Sequence, residues 1–221
     1  RMTLPPFELP LPNLGPWRQG NAGVEAVWRF DSGKPGRELL LTALVHGNEI
    51  CGAWALLDWL ALGVRPQRGA VTMAFCNLAA FDTLNVLQSD ASRFVEQDFN
   101  RVWGPALLSA PSVTNEQRRA RELAPVVARA DWMLDLHSMH EPGPPLLLTG
   151  MLQRNINFAH QLAAPAHVIV DRGHSDGVRM RDHLAFADAA GDKLALLLEC
   201  GWHGALASRT VARDMTARFL N

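Results

Sequence analysis

His46, Gly47, Asn48 and Glu49 follow directly on the apolar run Leu39–Val45. An imidazole at the mouth of a buried strand, with a carboxylate where the next helix should begin, supplies two ligands of a zinc-type site. His137 repeats the placement after Trp132-Met133-Leu134-Asp135-Leu136. Two imidazoles and one carboxylate leave a fourth position for water, which is the arrangement of a catalytic rather than a structural metal. The same residue types also fit hydrogen-bonded histidines at strand ends and an acid favoured by a helix dipole. Residue type alone leaves both readings open.

Glu199 ends the apolar run Lys193–Leu198. A partly buried carboxyl there has a raised pKa and suits taking a proton from water and passing it to a leaving amine. A strand-end acid facing solvent is the alternative. Asp135 shares a strand face with His137 and is placed either to orient that imidazole or to pair with Arg101 or a backbone amide. Arg93, Asn100 and Arg101, within Ser92–Arg101, offer two guanidinium forks and an amide. Such groups can grip a substrate carboxylate and stabilise an oxyanion, although isolated arginines are ordinary surface residues.

The elements that must position these groups follow from pattern. Val24–Phe30 and Glu38–Val45 read as strands joined by the turn Ser32–Gly36, and Glu49 to about Leu62 as a helix stopping at Gly63. Val71–Cys76 completes a β-α-β unit. Glu116 to about Ala130 is a charged amphipathic helix, and Ala205–Leu220 closes the chain as another. Trp132–Leu136, Leu146–Thr149, Val168–Val170 and Leu194–Leu198 are further predicted strands. The alternation predicts an α/β layered fold, with helices on both faces of a largely parallel or mixed sheet. Sites in such sheets lie beyond the carboxyl ends of the strands, where His46, His137 and Glu199 fall.

The chain has 221 residues, 48% of them hydrophobic, enough for one globular domain, alone or with a small appendage. Lys and Arg number 21 and Asp and Glu 22, a formal charge of −1 without a long like-charge run. That disfavours nucleic acid as a partner. No apolar run reaches the roughly 18 residues a membrane span needs. Three widely spaced cysteines, Cys51, Cys76 and Cys200, read as reduced core thiols of a cytoplasmic protein. Residues 1–20 carry five prolines and read as an extended arm. Its stretch 4–16 is compatible with packing across a neighbouring subunit in a homo-oligomer.

Taken together, His46-Gly47-Asn48-Glu49, Arg93 with Asp98-Phe99-Asn100-Arg101, Asp135-Leu136-His137 and Glu199-Cys200-Gly201 resemble the succinylglutamate desuccinylase and aspartoacylase family, relatives of the zinc carboxypeptidases. Order and separation match over about residues 38–204, and Glu116-Gln117-Arg118-Arg119-Ala120 resembles that family's helix before the third ligand. The resemblance implies one zinc ion per chain held by His46, Glu49 and His137, with Glu199 as general acid/base. It implies that Arg93 polarises the scissile carbonyl and that Asn100 and Arg101 bind a substrate carboxylate. The fold it implies is a three-layer, carboxypeptidase-like α/β domain over residues 21–221, with a mixed central sheet and without the β-rich cap of many relatives.

The implied activity is hydrolysis of the amide bond of a small N-acyl amino acid or similar carboxylate-bearing N-acyl amine. A carboxypeptidase-type peptidase and a metal-binding module that has lost catalysis are the other readings. Aspartoacylase-like enzymes carry an arginine shortly before the catalytic glutamate, and Asp188-Ala189-Ala190-Gly191 has none. Arg172, Arg179 and Arg181 are the nearest substitutes, on a polar loop of the kind that lines sites. The chain also contains no tyrosine, so the phenol that some relatives bring to the substrate has no counterpart.

Overall fold

The computed structural model describes residues 4–221. Seven strands, β1 Val27–Asp31, β2 Glu38–Ala43, β3 Ala70–Phe75, β4 Trp132–Met139, β5 Leu146–Leu148, β6 His167–Ile169 and β7 Leu194–Trp202, form one sheet in the order β1-β3-β2-β4-β7-β5-β6. The four central strands β3, β2, β4 and β7 are parallel. β1 runs antiparallel to β3 and β5 antiparallel to β7, with β6 parallel to β5. The sheet is therefore mixed, as expected. β1 and β2 are consecutive but do not pair, because β3 lies between them.

Among the described residues six α-helices accompany the sheet: α1 Ile50–Leu62, α2 Leu78–Phe81, α3 Pro105–Ser109, α4 Asn115–Arg129, α5 Gln153–Leu162 and α6 Leu206–Leu220. Strand alternation divides the core into two layers. Leu41, Leu134, Leu136, Leu196 and Leu198 pack with α1, α5 and α6, whereas Leu40, Met133 and Ala195 pack with Ala120, Leu123 and Val127 of α4. Thr42, Asp135, His137 and Glu199 share the parity of that second set. The polar residues of the site thus stand on the α4 face of the central strands.

Several elements differ from expectation. β4 and β7 continue past Leu136 and Leu198 because they pair with each other further along, so His137 and Glu199 lie within strands instead of after them. Their polar side chains mark a site on the sheet rather than its edge. The sequence pattern also missed α5, whose mixed residues bury only Asn155, Phe158, Ala159 and Leu162. That i, i+3, i+4, i+7 spacing is helical, but the polar Asn155 hides it.

The turn from β2 into α1 is sterically exacting. Leu44 adopts φ 59°, and a Cβ added at Gly47 would lie 2.4–2.5 Å from backbone atoms of Ala80, Phe81 and Ser92. Only glycine lets the chain pass there, and the Gly47 N–H donates to Arg93 O at 3.1 Å.

The described part of the proline-rich arm lies on its own chain. Leu9 and Leu14 are buried, the amides of Glu8 and Leu9 donate to Gly204 O at 2.8 and 2.9 Å, and Trp54 Nε1 donates to Pro10 O at 2.7 Å. Residues 1–3 of the expected arm fall outside the described residues. Among the described residues, no helix is long and apolar enough to cross a membrane.

Candidate metal centre

The two histidines expected at strand ends meet over one carboxylate. His46 Nδ1 lies 2.8 Å from Glu49 Oε1, and His137 Nδ1 lies 2.8 Å from Glu49 Oε2. One ligand atom from each residue falls within 4.8 Å of the others, and all three residues are buried. Glu49 caps the start of α1 without its side chain bonding the helix. Its carboxylate is turned to the imidazoles instead, which decides against a simple helix-dipole role.

Each imidazole is held from behind. Asp98 Oδ1 lies 2.9 Å from His46 Nε2, and Asp135 Oδ2 lies 2.7 Å from His137 Nε2. Asp135 also accepts from Thr42 Oγ1 at 2.7 Å, so its partner is the imidazole and not Arg101. A carboxylate behind a ring favours the proton on that nitrogen and leaves the Nδ1 lone pair for a cation. Two imidazole nitrogens and a carboxylate oxygen, each with a fixed orientation, fit a zinc-type ion.

The electrostatics agree. Burial penalises the charge on Glu49, yet the facing imidazoles hold its carboxyl well below the usual range. Burial also opposes a charged His137, but Asp135 and Glu49 raise it well above an ordinary histidine. This is a pocket whose field attracts positive charge. Glu199 behaves in the opposite way, since burial and the nearby Glu49 charge push it up to about 7. Its Oε2 is buried and unpartnered among the described residues.

Arg93 spans the two acids, with its guanidinium 3.4 Å from Glu49 Oε1 and 3.3 Å from Asp98 Oδ2. The segment that carries Arg93 and Asp98 is anchored by the buried Glu116 at the start of α4. The Glu116 carboxylate accepts from Asn77 Nδ2 at 3.1 Å and from the amides of Val95, Glu96 and Gln97 at 2.7, 3.2 and 3.2 Å.

Asn100 Oδ1 accepts from the Met180 amide at 2.9 Å, so its Nδ2 is the atom left to donate. Arg101 bonds the Asn100 carbonyl at 2.9 Å and has no carboxylate partner among the described residues. Burial, then repulsion from Arg179 and Arg93, lowers its pKa. A cleft of about 260 Å³ brings together His46, Glu49, His137, Glu199 and the predicted Arg93, Asn100 and Arg101.

The three loop arginines separate by role. Arg181 is almost wholly buried and forks Asp171 at 2.9 and 3.3 Å while bonding Asp182 at 3.2 Å, so it braces the loop. Arg172 lines a different cleft. Arg179 pairs with Asp171 and, together with His174, lines the cleft beside Glu199. Sequence reasoning missed His174 and the purposes of Asp98 and Glu116, because only the fold brings these residues to the site.

A mixed sheet layered between helices, with a buried His-Glu-His cluster on its central strands, defines a layered α/β protein with a metal-competent centre. Residues 35–218 match the family described as succinylglutamate desuccinylase/aspartoacylase catalytic domain, and the chain belongs to that family. The human N-acyl-aromatic-L-amino acid amidohydrolase (carboxylate-forming) is 29% identical over 119 residues, 48% of this chain and 34% of the human protein.

Among solved structures, the ectoine utilization protein EutE of Ruegeria pomeroyi has a TM-score of 0.68 at 20% identity, covering 88% of this chain and 58% of that one. Murine aminoacylase 3 has a TM-score of 0.62 at 21% identity, covering 86% and 66%. At these identities the structures share the fold. The chain spans about a third of the human relative.

Proposed function

We propose that this protein is a zinc-dependent hydrolase that cleaves the amide bond of a small N-acyl amino acid or similar carboxylate-bearing N-acyl amine. The observation that carries the reading is Glu199, a half-buried carboxyl whose Oε2 is buried without a partner among the described residues and whose pKa is raised to about 7 beside the His46, Glu49 and His137 donors. A zinc ion bound by those three residues, one per chain, supplies Lewis acidity to a carbonyl and makes water a better nucleophile. Glu199 takes the proton from the attacking water and returns it to the leaving amine.

Arg93, exposed to the cleft, donates to the scissile carbonyl oxygen and holds the negative charge that develops there. Asn100 Nδ2 and the unpaired Arg101 grip the carboxylate of the amine portion, and Arg179 adds positive charge beside Arg101. Membership of the family and the amidohydrolase relative support this class of substrate. Residues 21–221 form the catalytic domain in this reading, and three buried free thiols support a reducing, cytoplasmic setting.

Metal analysis of the purified protein, combined with a screen of N-acetyl and N-succinyl amino acids against short peptides, tests it. Zinc together with hydrolysis of the acylated amino acids alone is the expected result. Cleavage of the peptides instead would identify a carboxypeptidase-type peptidase, and tight zinc binding without turnover a metal-binding module. A protein that binds no metal would end the proposal.

A further inference from the structure

One buried polar pair has no part in the chemistry above: Ser138 Oγ lies 2.7 Å from His203 Nδ1, with both residues 2–3% exposed. The fold goes out of its way to make it. Between the pairs His137↔Glu199 and Met139↔Trp202, β4 advances two residues and β7 three, so β7 carries a bulge at Cys200-Gly201. Gly201 adopts φ 118°, a conformation side chains resist, and a Cβ there would meet Ser208 Oγ at 2.9 Å.

The bulge shifts the phase of β7, and the His203 amide then donates to Met139 O at 3.0 Å. Its imidazole is thereby carried back over Ser138. The Ser138 amide in turn donates to Glu49 Oε2 at 3.2 Å, the same oxygen that faces His137 Nδ1.

We propose that His203 is a positioning residue for the metal centre: by holding Ser138 Oγ it fixes the Ser138 peptide, whose N–H sets the orientation of the Glu49 carboxylate. Glu49 Oε2 faces both the Ser138 N–H and His137 Nδ1, while Oε1 faces His46 Nδ1 and the Arg93 guanidinium. Without a rigid amide at Oε2 the carboxylate is free to rotate toward Arg93, and its geometry relative to the two Nδ1 atoms is lost. Groups that orient a ligand from behind in this way govern metal affinity, with losses of roughly 10- to 100-fold on removal.

The inference rests on the reading of His46, Glu49 and His137 as ligands, and its test separates the two. Zinc affinity is measured by competition with a chelating dye for the unaltered protein, His203→Ala, Ser138→Ala and the double variant. Failure of the unaltered protein to bind zinc overturns the ligand reading itself. If it binds, each single variant is expected to lose about 10-fold or more in affinity. The double variant is expected to lose about as much as either single, because both break one chain of contacts.

His203→Asn, whose amide can replace Nδ1 toward Ser138, is expected to stay within about threefold of the unaltered protein, a rescue that packing alone would not give. Unchanged affinity in both single variants, or losses that multiply in the double, would overturn the proposal. Ser138→Ala removes a single oxygen from a strand and keeps the test decisive if His203→Ala folds poorly.

Discussion

His137 and Glu199 are register partners across the parallel β4–β7 pair, so a donor of the candidate metal centre and its half-buried acid stand side by side by backbone geometry. Their parity puts both on the face packed by α4. The distance between ligand and acid is therefore set by the sheet and not by a mobile loop, which is the rigidity a proton-transferring group requires.

Glu199→Gln preserves shape and the strand ladder while removing the group that accepts a proton. The expected result is a fall in kcat of roughly 10²- to 10⁴-fold with zinc content unchanged. Steady-state kinetics beside metal analysis would show it. Retention of more than a tenth of the turnover would remove Glu199 from the mechanism.

Asp98 and Asp135 each act on one histidine of the centre through its Nε2. Asp98→Asn and Asp135→Asn each replace an acceptor at Nε2 with an amide that can present its N–H there, favouring the wrong tautomer. Each is expected to weaken zinc binding by roughly 10- to 100-fold. Dye competition measures the loss, and an unchanged affinity for Asp98→Asn would mean that His46 is oriented by the turn at Gly47 alone.

The donor set was legible in the sequence because its residues sit beside apolar runs that any buried strand must show. His46, His137 and Glu199 end such runs and Glu49 precedes one, and burial makes a polar residue there conspicuous. Asp98, Glu116, His174 and His203 were not legible in the same way. Each reaches its partners across the fold, Glu116 from the first turn of α4 and the others through a loop or a bulge, and no local pattern encodes that Asp98 backs His46 or that Glu116 ties down residues 95–97. The extents of β4 and β7 were underestimated for a related reason. The apolar runs of both strands stop where a polar residue appears, whereas pairing between the two strands carries the ladder through it.

Asn100 offers a test of substrate binding that leaves the fold intact. Asn100→Asp keeps an oxygen to accept from the Met180 amide, but it replaces the donor facing the cleft with negative charge. KM for a carboxylate-bearing substrate is expected to rise by roughly 10- to 100-fold with little change in kcat, and Arg101→Ala to act in the same direction. A fall in kcat at constant KM would place these residues at the reacting carbonyl instead.

Glu116 gathers four donors on one buried carboxylate. Glu116→Gln turns one of those acceptors into a donor and leaves half-buried N–H groups unpaired, at a cost of roughly 1–3 kcal/mol. Urea unfolding should show this loss. A change under about 0.5 kcal/mol would mean that the 95–97 segment holds its place without the carboxylate.

Asp171 gives the fold a defined acid sensitivity. Burial opposes its charge, but the Arg181 fork and the nearby Arg179 lower its carboxyl from 3.8 to about 2. A carboxyl lower in the folded than in the unfolded chain stabilises above the unfolded value, and that stability is lost as pH falls toward the folded one. The shift is equivalent to roughly 2 kcal/mol, full above about pH 5, about half gone near pH 3, and mostly lost by pH 1. Asp171→Asn cannot lose what it never had. Its deficit relative to the unaltered protein, measured by urea unfolding, is expected to narrow by about 1 kcal/mol between pH 5 and pH 3. Parallel stability curves for the two proteins over that interval would show that the Asp171 charge does not stabilise the loop beside the cleft.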